Sequence, residues 1–138
     1  MRPNTLAEAV TRIRAGESRD QILTEFVDTF DLAASDADRY AAIAQEPALT
    51  GEVRLDALVG AIAEYLAKQR RLGQVPPWTG GTARRLAEPW FTTASPSAAI
   101  REYLTFASPG EFASRNIFTE ERPLRRPHGR SAPRISAE

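Results

Sequence analysis

The chain contains no cysteine and a single histidine, His128, among its 138 residues. Without thiols there is no disulfide, no thiolate nucleophile and no cysteine-ligated zinc or iron–sulfur cluster. One imidazole argues against a histidine-based metal site within the chain. No apolar run approaches the roughly eighteen residues a membrane span needs. The first residues, Met1-Arg2-Pro3-Asn4-Thr5, lack the apolar segment of a signal sequence. These absences predict a cytoplasmic protein without cofactors. Strand-like runs of convincing length are missing too, which leaves an all-α reading.

What is present suffices for one buried core: 42% of the residues are hydrophobic and 26% are charged. The formal net charge of zero conceals segregation. Residues 1–66 hold twelve acids against six arginines, a net of −6, whereas residues 67–91 hold five bases and one acid, a net of +4. The tail from Arg122 to Glu138 carries five arginines and one acid, again +4. Such clusters are either solvated faces or a surface for a partner or a phosphate.

Helix signals punctuate the first half. Thr5-Leu6-Ala7-Glu8 is a Thr-x-x-Glu capping box ahead of Leu6, Val10 and Ile13, and Gly16 closes that run. Ser18-Arg19-Asp20-Gln21 opens a second helix from Arg19 to about Ala33, with Ile22, Leu23, Phe26, Val27 and Phe30 at helical spacing. Ser35 caps a third through Tyr40, Ile43 and Ala44, stopped near Gln45 or Glu46 by Pro47. Thr50 reads as the cap of the strongest element, roughly Glu52 to Leu72. There Leu55, Leu58, Val59, Ile62, Tyr65, Leu66 and Leu72 form an apolar stripe that ends at Gly73.

From Gly73 to Thr93 the periodicity dissolves into Pro77-Trp78, Gly80-Gly81 and Pro89-Trp90-Phe91, with room for one helical turn around Thr82 to Ala87. A connector this long that holds both tryptophans is expected to be ordered. Ser95-Pro96 reads as cap and first helical position of a further helix whose buried face is Ile100, Tyr103, Leu104 and Ala107. Ser108-Pro109-Gly110-Glu111 repeats the signal for a short helix carrying Phe112 up to Asn116. After Phe118 apolar content nearly vanishes, so residues 122–138 are expected to form a flexible Arg/Pro-rich tail, disordered alone, beside a helical domain of five to six helices over 1–121.

Trp78, Trp90 and Phe91 suit either a stacking platform or a partner's hot spot; alternatively the indoles fold back over the fourth helix and seal the core. Arg70-Arg71 and Arg84-Arg85 flank the first Pro-Trp, and their forks suit phosphate or carboxylate, although arginines at a helix end also complement its dipole. Asp28, Asp31, Asp36 and Asp38 match no calcium loop and sit where caps belong. With His128 in the tail, no base is positioned to activate a hydroxyl. A helix-turn-helix drawn from the first three helices would bring Asp36 and Asp38 to phosphate, which argues against it.

Between Arg39 and Leu124 a particular order of residues recurs: Arg39-Tyr40, Glu46-Pro47, Leu49-Thr50-Gly51, Leu55-Asp56-Ala57, Ala63-Glu64-Tyr65-Leu66 and Pro77-Trp78. It continues through Arg85-Leu86, Pro89-Trp90-Phe91, Ser108-Pro109, Phe112 and Arg115-Asn116-Ile117-Phe118. This order resembles a small helical family of high-GC bacteria, similar to antitoxin-like proteins encoded beside nucleotidyltransferase-like toxins. The resemblance spans residues 39–124, about 60% of the chain. Some members carry an N-terminal helix-turn-helix; residues 1–35 here lack a convincing recognition helix. The resemblance implies toxin neutralisation and no catalytic residue.

The combined expectation is a non-enzymatic antitoxin or accessory subunit, binding a protein partner through Arg70, Arg71, Trp78, Arg84, Arg85, Trp90, Phe91, Arg122, Arg125 and Arg126. A nucleic-acid-binding regulator using the bases between Lys68 and Arg85 is the alternative, and a small enzyme lacks any activated group.

Overall fold

The computed structural model describes residues 1–93 and 96–124. The expectation of a disordered tail falls largely on residues 125–138, outside the described residues, and so do Arg125 and Arg126. The fold is all-α. Helices α1 (Leu6–Arg14), α2 (Arg19–Asp31) and α3 (Asp36–Ala44) pack on one another and deliver Leu6, Val10, Ile22, Phe26, Phe30 and Ile43 to the core. Helix α4 (Val53–Gln69) runs through the centre and buries Leu55, Val59, Ile62 and Leu66. Two 3-10 turns, Pro77–Gly80 and Thr82–Arg84, and the short helix α6 (Gly110–Ala113) lie against α4. Helix α5 (Ala98–Ala107) rests instead on a two-residue parallel ladder of β1 (Trp90–Phe91) and β2 (Ile117–Phe118).

The caps explain most boundaries. The Thr5 hydroxyl accepts from the Glu8 amide at 3.0 Å, while the Glu8 carboxylate takes the Asn4 amide rather than that of Thr5. Ser18 and Ser35 accept from the amides of Gln21 and Asp38. Helix α1 ends in a Schellman turn in which the Glu17 amide reaches the Arg12 carbonyl and Gly16 takes φ 111°.

Several boundaries differ from expectation. Thr50 does not cap α4: its hydroxyl and amide both donate to Asp56, and Glu52 occupies the cap position without a side-chain bond. Helix α4 stops at Gln69 rather than Leu72, because Arg71 adopts φ 52° and lets the Leu72 amide bond back to the Ala67 carbonyl at 3.0 Å. The left-handed position expected at Gly73 is thus taken first by an arginine. Ser97, not Ser95, caps α5, and Ser108 closes α5 instead of opening α6, its hydroxyl donating to the Leu104 carbonyl at 2.5 Å.

Candidate partner-binding surface

Gly60 lies in the interior of α4, where an added Cβ would meet the Arg84 Cβ at 2.9 Å and the Arg115 Nε at 3.4 Å. Without a side chain there, two arginines can lie flat on the helix. Arg84, only 1% exposed, donates to the carbonyls of Pro47 (2.6 Å) and Asp56 (3.3 Å) and to the Glu46 carboxylate (3.2 Å). Its guanidinium also covers the face of Trp78 at 4.9 Å, and the Trp78 indole N–H donates to the Ile43 carbonyl at 3.0 Å. Arg115 reaches the Thr79 and Glu111 carbonyls, both at 2.7 Å, and the Glu64 carboxylate at 2.5 Å. Together these bonds fasten residues 76–84 to α4: Arg84 carries the loop's charge onto the Pro47 and Asp56 carbonyls, and Arg115 answers the Thr79 carbonyl of the loop while pairing with Glu64 of α4.

One expected site residue is therefore interior and a second is turned toward the core. Arg84 is a correction: it sits inside the fold and cannot present a fork to a partner. Trp78 is half-buried with its polar atom occupied, the core-sealing outcome. Among the other described positions, Arg70 and Arg122 line one depression with Asp31, Tyr65 and Gln69, and the rest are not brought to it. Arg70 is exposed but paired with Asp31 at 3.2 Å, whereas Arg71, Arg85 and Arg122 are exposed. Asp36, in the acidic stretch, pairs with Arg39 at 2.9 Å. Trp90 and Phe91 are half-buried on the ladder: Arg54 lies over Trp90 at 5.2 Å, Arg101 over Phe91 at 5.8 Å, and Phe91 stacks on Phe118 at 5.0 Å. Successive strand residues point to opposite faces, so these two rings do not form one platform.

Beneath the loop, burial pushes the Glu64 carboxyl up, but hydrogen bonds from Lys68 and Arg115 outweigh it and hold the group below its ordinary value. Lys68 is raised in turn by its bond to Glu64 and bridges to Glu111 at 3.7 Å. Every member of this cluster is answered by another, so its chemistry is that of a clasp.

No family model, curated protein or solved structure matches the chain. The most distinctive region of the surface is a helix face whose apolar residues are expected to be buried. Helix α5 buries only Leu104; Ile100, Tyr103 and Phe106 are 40%, 57% and 83% exposed. The expected buried face containing Ile100 and Tyr103 is a correction, because α5 packs on a ladder two residues long that can cover only one side of it. A signal existed. Large apolar residues at 100, 103, 104 and 106 sweep a wider arc than one neighbour covers, and Phe106 lay outside the assigned stripe.

Proposed function

We propose that this chain is a non-enzymatic antitoxin or accessory subunit that binds and neutralises or regulates a partner protein. The observation that carries the reading is the open apolar face of α5. Ile100, Tyr103 and Phe106 recur at three-residue spacing on one helix, the pattern by which a helix presents anchors to another protein. An exposed cluster containing two aromatics has a cost in water that a partner relieves. The nature of the partner, a nucleotidyltransferase-like toxin, rests on the resemblance over residues 39–124.

Co-expression with the product of the neighbouring gene tests the proposal. The expected result is relief of growth arrest and co-elution of the two proteins, both lost in Phe106→Asp while its melting temperature stays within a few degrees of the parent. Separate elution and unrelieved arrest would overturn it. Binding to bulk DNA that weakens steeply with salt would favour the nucleic-acid-binding alternative instead.

A further inference from the structure

The open face of α5 is one wall of a groove whose other wall is the segment from Glu120 to Arg122. Two adjoining depressions of about 700 and 510 Å³ share Tyr103 and Glu121; Ile100, Leu104 and Glu120 line the first, Phe106, Ala99 and Glu102 the second. The rim is acidic. Glu102, Glu120 and Glu121 are exposed, and among the described residues none of them enters an ion pair, in contrast to Glu64, Glu111 and Asp31. Among the described residues that line it, Arg122 alone supplies opposite charge, and Arg101 lies over Phe91.

We infer that this groove binds a cationic amphipathic helix of another protein, its apolar side on Ile100, Tyr103 and Phe106 and its lysines or arginines on Glu102, Glu120 and Glu121. The inference rests on the protein-binding reading and narrows it to a partner of opposite charge. Three unpaired carboxylates around an apolar strip favour a basic ligand and repel an acidic one. They also disfavour a second copy, because a two-fold pairing would set this rim against its own image. Strand addition is excluded by the ladder, whose two residues per strand offer too little edge. Ten residues of α5 extend about 15 Å, which matches roughly three turns of a docked helix.

The probe is a fluorescein-labelled fourteen-residue peptide of leucine and lysine in amphipathic helical order, compared with its leucine–glutamate counterpart by fluorescence anisotropy on the purified protein. The lysine peptide is expected to bind at least tenfold more tightly than the glutamate peptide. The triple variant Glu102→Lys, Glu120→Lys, Glu121→Lys should invert that preference, and Phe106→Ser should weaken the lysine peptide about tenfold. Ala99→Arg, which blocks the strip without deleting an anchor, should do the same and covers the case in which Phe106→Ser fails to fold. An unchanged preference in the triple variant would overturn the inference, as would a dimer in sedimentation that Phe106→Ser dissolves. No toxin enters this assay. Growth relief with failed peptide discrimination would sink the groove alone, and the reverse would sink only the antitoxin reading.

Discussion

Shortening Arg84 to methionine strips the Pro47 carbonyl of its donor at 2.6 Å and the Asp56 carbonyl of a second one at 3.3 Å. Only the Pro47 carbonyl is left unanswered, and the substitution also removes the Arg84 Nε, which is buried without a partner, so Arg84→Met should lower stability by about 1–3 kcal/mol in chemical denaturation. Arg84→Glu would put a carboxylate against those carbonyls and is expected to abolish cooperative melting. Arg85→Glu, one residue on and exposed, should stay within about 0.5 kcal/mol of the parent. Gly60→Ala supplies a check of opposite sign to propensity. Alanine ordinarily gains about 1 kcal/mol over glycine inside a helix, but here its Cβ meets that of Arg84 at 2.9 Å. Overpacking costs about 1–3 kcal/mol, so a net loss is expected. The fates of Arg84 and Arg85 were not legible because a three-residue 3-10 turn has no periodicity to read. The legible cue was Gly60, a costly residue in the interior of a long helix, which marks close approach by something else.

Among the elements, α4 and α5 stand at opposite ends of local stability. Helix α4 is enclosed by the 3-10 turns and α6, and Leu55, Val59 and Ile62 along it are almost wholly buried. Helix α5 buries one large side chain and hangs between β1 and β2, an excursion that leaves the ladder at Phe91 and returns at Ile117. In native-state hydrogen exchange the amides of α5 should exchange at least a hundredfold faster than those at the centre of α4, because α5 can open without unfolding the rest. Equal protection would mean that α5 is integral to the core. The first three helices were legible because caps and 3.6-residue periodicity state where a helix starts and which side is apolar, and α4 was legible from its periodicity, its expected cap Thr50 being engaged with Asp56 instead. Periodicity does not state whether anything covers that side, and Ile100 and Tyr103 were misplaced for that reason. The early end of α4 escaped for a different one: a left-handed arginine is a rare substitute for glycine, and Gly73 two residues later looked like the natural stop.

For the whole molecule, acid stability follows from Glu64. Its carboxyl lies below the ordinary value in the folded chain despite burial, through its bonds to Lys68 and Arg115. A depressed folded pKa means that the unfolded chain binds the proton more readily. The contribution is therefore complete above the ordinary carboxylate range and lost as pH falls through the folded value. Stability should hold from neutrality to about pH 5 and decline below it, and Glu64→Gln should flatten that decline in urea titrations at successive pH values. Glu17, lowered by its bond from Arg12, acts in the same direction from the surface, so part of the slope remains. At this scale the charge segregation was legible but its use was not: of the basic residues in 67–91, Arg84 is consumed internally, Arg70 meets Asp31, and Lys68 meets Glu64. The two tryptophans, finally, occupy unlike surroundings, one bonded to the Ile43 carbonyl beneath Arg84, the other on the ladder beneath Arg54. The molecule thus carries two intrinsic chromophores with separate addresses. Emission from Trp78 reports whether the loop is fastened to α4, while emission from Trp90 registers events on the ladder that supports α5, so single-tryptophan variants would let loop release and partner docking be followed independently in the same light.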